Sequence, residues 1–168
     1  MPSTKDLQCI AYLDIETTSL SPHYGDLTVI GLHFENGDEL RTVQLVGDEI
    51  SSSRLIEMIE GVNVLYTYNG TRFDLPFIRE KLGVDLTKYC MHKDLMYECW
   101  RKDLYGGLKA VEIKLGIKRG LADINGRIAV DLWYRYKHYG DERSLEILLE
   151  YNREDVSNLK VIRKKLNI

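Results

Sequence analysis

The sequence has few of the features that mark secreted, disulfide-bonded or membrane-spanning proteins. Its three cysteines, Cys9, Cys90 and Cys99, are an odd number without CxxC spacing. This argues against a disulfide scaffold or a zinc knuckle and favours a reducing environment. No apolar run approaches membrane-spanning length, and the polar residues 1–8 lack the apolar core of a signal peptide. We therefore expect a cytoplasmic protein with no membrane contact.

Basic residues are not in excess either. The formal net charge of −3 at pH 7 argues against passive, high-affinity nucleic-acid binding but allows an enzyme with a local basic rim. The composition, 44% hydrophobic and 29% charged, is ordinary for a globular protein. Because no linker, repeat or low-complexity segment is present, we expect one domain spanning residues 1–168. No motif indicates a protein partner, and a monomer is the simplest expectation.

Apolar runs and turn residues predict an α/β fold. After the apolar run at residues 9–13, strands are expected at 26–35, 39–46, 62–68 and 89–92, with Asn36-Gly37 as a tight hairpin turn. Helices are expected at 54–60, 73–82, 108–115, 128–138 and 145–166. This order predicts a mixed five-stranded sheet flanked by helices.

Two acidic residues follow the first apolar run. Asp14 and Glu16 are two positions apart, and the alternation of side chains along a strand places both carboxylates on one face. Neighbouring negative charges on an otherwise buried strand repel each other and lose hydration, and a divalent cation such as Mg²⁺ or Mn²⁺ relieves both effects. The alternative is a strand end that reaches solvent with two ordinary surface acids.

The last predicted helix carries an acidic residue among apolar ones. At about 100° per residue, Asp155 falls within the apolar stripe that runs from Leu145 to Leu166. A carboxylate against a core is unfavourable unless it is paired or bound to a cation. Tyr151 lies one turn earlier, at the i, i+4 spacing that brings side chains together. The alternative is an Asp155 that escapes to solvent and a Tyr151 that only packs.

Asp74 lies between a predicted buried strand and a predicted helix. Ligands gather at strand ends in open α/β sheets, and Gly70 allows the backbone to turn sharply there. Because Asp74 directly precedes Leu75-Pro76, it is also a good helix N-cap residue. Both interpretations stay open for this residue taken alone.

Together these segments resemble the DEDD superfamily of 3′–5′ exonucleases, which have a ribonuclease-H-like fold. The similar motifs are, in order, Asp14-x-Glu16, Asn69-Gly70-x-x-Phe73-Asp74 and Tyr151-x-x-x-Asp155, the last with the tyrosine spacing of the DEDDy branch. Segments 107–112, 131–133 and 151–156 are most similar to the YprB-like exonucleases of this fold. The resemblance extends from about Cys9 to Leu166.

The resemblance implies two-metal hydrolysis of phosphodiester bonds, with Asp14, Glu16, Asp74, Tyr151 and Asp155 as the catalytic residues. Asp14, Glu16 and Asp155 would hold the ion that binds the attacking water. Asp14 would bridge to a second ion held by Asp74. Two Mg²⁺ or Mn²⁺ ions about 4 Å apart would stabilise the attacking and leaving oxygens. Tyr151 would position the water first and act as a base second, because its ordinary pKa is about 10.

Four further residues are expected to contact the substrate, the 3′ end of single-stranded DNA or RNA. Thr17 adjoins the carboxylate pair and offers its backbone N–H. Asn69 and Arg72 flank the second motif, and Lys109 begins a predicted helix after a Gly-Gly pair, which is favourable for phosphate. For Arg72 and Lys109 the alternative is a solvated surface charge.

Three functions are compatible with these residues. The first is the metal-dependent 3′–5′ exonuclease. The second is a non-catalytic ribonuclease-H-like module that binds nucleic acid or serves as a scaffold, although such a descendant would be expected to have lost a motif residue. The third is a ribonuclease-H-type endonuclease. Paired acids on the first strand and the Tyr-x-x-x-Asp helix favour the exonuclease.

Overall fold

A mixed sheet forms the centre of the structure, a computed structural model that describes residues 8–168. Its strands are β1 (Cys9–Thr17), β2 (Leu27–Asn36), β3 (Glu39–Val46), β4 (Val64–Thr67) and β5 (Met91–Asp94). They are ordered β3-β2-β1-β4-β5, with β1 antiparallel to β2 and parallel to β4. Residues 1–7, most of the segment considered above as a possible signal peptide, lie outside the described residues.

Six helices accompany the sheet in the described part of the chain. They are α1 (Ser52–Ile59), α2 (Asp74–Leu82), α3 (Leu95–Trp100), α4 (Leu108–Lys114), α5 (Gly126–Tyr139) and α6 (Glu142–Leu166). The predicted α/β architecture, a mixed five-stranded sheet flanked by helices, is confirmed. Within residues 8–168, no helix is both long enough and apolar enough to cross a membrane.

The hairpin between β2 and β3 forms where the sequence predicts it. Asn36 pairs with Glu39 across the turn. Gly37 has a φ of 62°, a left-handed conformation that glycine adopts without a steric penalty. This hairpin makes β3 one edge of the sheet and leaves β1 in its centre.

The structure departs from the predicted elements around residues 62–100. The strand expected at 62–68 is confined to Val64–Thr67, the strand expected at 89–92 is shifted to Met91–Asp94, and α3 has no predicted counterpart. Asp94 ends β5 and also caps α3, because its Oδ1 accepts a hydrogen bond from the backbone N–H of Met96 at 3.1 Å. Because no turn separates β5 from α3, the hydrophobic periodicity of the sequence does not show where the strand ends and the helix begins.

The two faces of β1 lie in different environments. Leu13 and Ile15 enter a core cluster shared with α1 and α2. Tyr12 enters a second cluster that includes residues of α6. Because side chains alternate along a strand, Asp14 and Glu16 lie on the α6 side of the sheet.

Candidate active site

Three carboxylates meet where α6 packs on β1. Asp14 and Glu16 lie near the end of β1, and Asp155 lies in the middle of α6. Each offers one carboxylate oxygen, and these oxygens lie within 4.8 Å of one another. Glu16 and Asp155 are only 7% and 5% exposed. They are therefore not the ordinary surface acids considered as the alternative.

Burial and mutual repulsion make this cluster unfavourable without a cation. Burial raises the pKa of Asp14 and of Glu16 well above their ordinary values, and the charge of Asp155 raises both further. Burial also raises the pKa of Asp155 to about 6, although the Arg119 guanidinium beside it acts in the opposite direction. A donor set of carboxylate oxygens suits hard cations such as Mg²⁺ and Mn²⁺. The residues present therefore fit a divalent metal ion.

Asp74 reaches the same region from the start of α2. Its Oδ1 accepts a hydrogen bond from the backbone N–H of Ile15 at 3.2 Å, between the two acids of β1. Burial raises the pKa of Asp74 to about 7 against the effect of backbone hydrogen bonds, and the charge of Asp155 contributes to the increase. Phe73, not Asp74, occupies the N-cap position of α2. The N-cap interpretation of Asp74 is therefore wrong, and the residue lies next to the group of three carboxylates.

Tyr151 is buried one turn before Asp155 on the same helix. The Nζ of Lys109 lies 4.9 Å and the Cζ of Arg119 lies 5.5 Å from its ring centroid, so two cations contact the ring. Burial raises the pKa of the Tyr151 phenol well above its ordinary value, and the charges of Asp155 and Glu16 add to the effect. A phenol held neutral in this way can donate a hydrogen bond and is a weak general base at neutral pH in the absence of metal.

Two cavities open onto the carboxylates. The larger, of about 460 Å³, lies in the size range of small-ligand sites. Beyond the carboxylates its wall is formed by residues 17–20, Phe73, Arg127 and Val130. The smaller, of about 360 Å³, is lined by Tyr68, Lys109 and Asn125, among others. Asp14, Tyr151 and Asp155 line both, so the acidic cluster lies between a pocket and a cleft that carries a lysine.

Two of the four predicted substrate contacts line these cavities and two do not. Thr17 lines the larger cavity and Lys109 the smaller. Asn69 has a left-handed backbone with a φ of 61°, and its N–H donates a hydrogen bond to the carboxylate that ends β5, at 2.8 Å. The Arg72 guanidinium lies 5.7 Å from the ring centroid of Trp100. Arg72 is exposed and lies near an aromatic ring, so its charge stays in contact with solvent.

Asn152 is a residue of the site that the sequence analysis did not identify. Its Nδ2 donates hydrogen bonds to the Oδ2 and the backbone oxygen of Asp14, at 3.1 and 3.3 Å. Its Oδ1 accepts a hydrogen bond from Nε2 of Gln44 at 3.0 Å, which sets the orientation of the amide. A Cβ atom on Gly31 would lie 2.1 Å from this Oδ1. A glycine inside a strand is the sequence signal for such a close approach.

Arg119 and Glu112 form the second group that the sequence analysis did not identify. Nη2 of Arg119 donates a hydrogen bond to Oδ1 of Asp155. Its Nη1 donates to both carboxylate oxygens of Glu112, each at 2.8 Å, and Glu112 is fully buried in α4. The sequence carries no signal for this pair, because Arg119 stands in a glycine-containing segment that is typical of an exposed loop.

The sequence matches a known family over most of its length. A family model described as the RNase_H superfamily matches residues 11–167. The chain therefore belongs to the ribonuclease H superfamily, and the ribonuclease-H-like fold expected from the sequence is confirmed. Among curated proteins, none matches this sequence.

Solved structures share the fold at low sequence identity. A family B DNA polymerase from the hyperthermophilic archaeon Pyrobaculum calidifontis gives a TM-score of 0.72 at 17% identity, over 95% of this chain and 24% of the polymerase chain. The apo form of a nuclease gives 0.63 at 20% identity, over 98% of this chain and 75% of that chain. This chain thus spans only a small part of the polymerase and most of the nuclease.

Proposed function

We propose that this protein is a metal-dependent 3′–5′ exonuclease of the DEDDy type, similar to the YprB-like group, that acts on single-stranded DNA or RNA. The observation that carries the proposal is the meeting of Asp14, Glu16 and Asp155 at one point of the fold, with Tyr151 one turn from Asp155. Buried like charges are unfavourable without a cation, which the proposed reaction requires. The fold is also that of a solved nuclease.

Each side chain of the site has a distinct role in this proposal. Two Mg²⁺ or Mn²⁺ ions, when bound, would stabilise the attacking and leaving oxygens of an in-line displacement at phosphorus. Asp14, Glu16 and Asp155 would hold one ion, and Asp14 together with Asp74 the other. Tyr151 would position the attacking water first and act as a base second.

The two cavities suggest how a strand end reaches the carboxylates. The larger has room for a single terminal nucleotide, and Thr17 lies in its wall. The register of β1 against β2 shifts between Glu16 and Thr17, and the additional residue, Thr28, lies on β2. Thr17 would contact the terminal sugar or phosphate through its N–H, and Lys109 would contact a phosphate. Asn69 and Arg72 remain predicted contacts with the strand outside these cavities.

Three broader properties of the protein are also proposals. The three cysteines are free, which agrees with a reducing cytoplasmic location. We propose that residues 1–168 act as a single domain and as a monomer. Sedimentation velocity at several protein concentrations tests the association state.

Digestion of labelled oligonucleotides tests the activity. The substrates are DNA and RNA oligomers of one sequence, labelled at either the 3′ or the 5′ end, with Mg²⁺, Mn²⁺ or a chelator. We expect Asp14→Asn and Asp155→Asn to abolish release of nucleotides, because each removes a charged metal ligand. The matched control is Glu57→Gln, which neutralises an exposed acid on α1, on the opposite face of the sheet.

The pattern of products separates the three functions. An exonuclease acting from the 3′ end releases the 3′ label first and leaves circular single-stranded DNA intact. Cleavage of the circle indicates the endonuclease. Calorimetric Mn²⁺ binding without digestion of any substrate indicates the non-catalytic module. Unchanged digestion by both aspartate variants would refute the proposed site.

A further inference from the structure

A buried guanidinium approaches the carboxylate cluster from outside the three motifs. Arg119 lies in the connection between α4 and α5, yet its side chain is only 5% exposed. The connection is attached to α6 through Glu154, whose carboxylate accepts hydrogen bonds from the backbone N–H groups of Gly120 and Leu121. The helix that carries Asp155 therefore also fixes the segment that carries Arg119.

One side of the guanidinium is held by a carboxylate that is fully used. Both oxygens of Glu112 accept hydrogen bonds from Nη1 of Arg119, and Oε1 also accepts from Nδ2 of Asn158 at 3.0 Å. Asn158 lies one turn after Asp155 on α6. Since its oxygens are occupied by these donors, Glu112 acts as an anchor for Arg119 and does not belong to the group of three carboxylates.

The other side of the guanidinium holds Asp155. Nη2 of Arg119 donates to Oδ1 of Asp155. Because a guanidinium is planar, fixing Nη1 on Glu112 also fixes the direction of Nη2. Within residues 8–168 this is the one side-chain hydrogen bond that Asp155 accepts, and it engages one of the two carboxylate oxygens. The rotation of the Asp155 carboxylate is thereby set, with Oδ2 left for another ligand.

Stability alone does not account for this arrangement. Removing ions from water largely offsets their attraction, so buried ion pairs add little net stability compared with apolar residues of similar volume. The positive charge of Arg119 also repels a cation bound nearby. Two effects on metal binding therefore oppose each other, namely orientation of Asp155, which favours binding, and charge, which disfavours it.

We infer that Arg119, anchored by Glu112 and Asn158, is a positioning residue that orients the Asp155 carboxylate for a divalent cation. The inference rests on the proposed function, because it assigns Asp155 to metal binding. Arg119 acts through Asp155 and does not touch the reacting atoms. Its orienting effect exceeds its repulsion of the cation.

Mn²⁺ binding to the full chain, measured by calorimetry without nucleic acid, tests the inference separately from activity. Arg119→Lys keeps the charge but loses the planar pair of donors, and we expect Mn²⁺ binding weaker by on the order of tenfold or more. Glu112→Gln removes the anchor and should weaken binding in the same direction. Lys118→Gln removes one positive charge from an exposed position of the same segment and should bind Mn²⁺ as the wild type does.

The double variant Glu112→Gln/Arg119→Gln addresses folding and charge together. It removes the Glu112 carboxylate together with its guanidinium partner, so position 112 carries no unpaired charge and the variant should fold; Asp155 loses its orienting donor, so weak Mn²⁺ binding is again expected. Wild-type affinity in Arg119→Lys would overturn the inference. Tighter binding in the double variant would also overturn it, because Arg119 would then act mainly by repulsion. If the wild type neither binds Mn²⁺ nor digests a strand, the proposed function itself fails.

Discussion

At the scale of single residues, Asn152 shows how an uncharged side chain controls the position of a charged one. Its Nδ2 faces the Asp14 carboxylate because its Oδ1 is occupied by Gln44. The amide therefore gives Asp14 a donor in a place where most neighbours are acids. Exchange of this donor for an acceptor changes the chemistry with almost no change in shape.

We predict that Asn152→Asp lowers the rate of strand digestion on the order of 10- to 100-fold, the usual effect of removing a partner of a metal ligand. The new carboxylate would still accept from Gln44, but its other oxygen would face Asp14 and repel it. The matched control is Asn167→Asp, the same exchange at the exposed end of α6. Equal digestion rates for the two variants would contradict this role.

The sequence predicted the acidic residues of the site better than the residues that orient them. Asp14 and Glu16 could be placed on one face by strand periodicity, and Asp155 on the apolar side of a helix by helical periodicity. These arguments use only local geometry. Asn152 and Arg119 have partners on distant elements, so no local pattern identifies them. Their roles depend on how α6 packs on the sheet and on the path of the α4–α5 connection.

At the scale of secondary structure, the site depends on how closely α6 approaches β2. Asp14 of β1 pairs with Gly31 of β2, and Asn152 of α6 lies against that glycine. The φ of Gly31 is not positive, so its backbone is not in the left-handed region. Space, not backbone strain, therefore requires the glycine.

We predict that Gly31→Ala destabilises the protein by about 1–3 kcal/mol, the usual effect of adding a methyl group to a well-packed site. The methyl group would displace Asn152, so digestion should fall as well. The measurements are denaturant unfolding and the oligonucleotide assay. Stability and activity equal to those of the wild type would show that α6 is not held at this distance.

The double variant Gly31→Ala/Asn152→Ala separates these two effects. Removing the Asn152 side chain makes room for the new methyl group, so stability should recover relative to Gly31→Ala alone. Digestion should stay low because Asp14 has lost its donor. Strictly additive stability changes would indicate that the two positions do not interact.

Element boundaries were predictable where turn or capping residues mark them. Gly83 has a φ of 68° and ends α2 where the sequence predicts, and Ser51 caps α1 by accepting from Arg54. The helix α3 was not predictable in this way, because Asp94 ends a strand and begins a helix at the same residue. Turn and capping residues, more than the helix and strand propensities of single residues, determined which element boundaries could be predicted from the sequence.

At the scale of the whole molecule, the acidic cluster links stability to pH. Burial raises the pKa of Asp74 to about 7 and of Asp155 to about 6 in the absence of metal. A carboxyl group with a raised pKa in the folded state contributes stability at low pH, where it is neutral. That contribution is lost as the pH rises through the folded-state pKa, because the unfolded chain ionises more easily.

We predict that the unfolding temperature of the metal-free protein falls between about pH 5 and pH 7, and that Mn²⁺ or Mg²⁺ reverses much of this loss. The cation binds the ionised carboxylates of the folded state and stabilises it by mass action. The effect of the metal should therefore increase with pH. Thermal unfolding with chelator and with each metal, at several pH values, measures both trends.

Histidines do not produce the same trend. Burial lowers the pKa of His33 and of His92 below the ordinary 6.5. Such groups make stability rise with pH up to about 6.5, so they oppose the predicted fall and do not produce it. Asp74→Asn keeps a side-chain oxygen that can accept the hydrogen bond from the backbone N–H of Ile15, but the amide cannot ionise. We expect this variant to make the unfolding temperature of the metal-free protein less dependent on pH. Equal pH profiles for the metal-free wild type and Asp74→Asn would show that this carboxyl group is not held at a raised pKa.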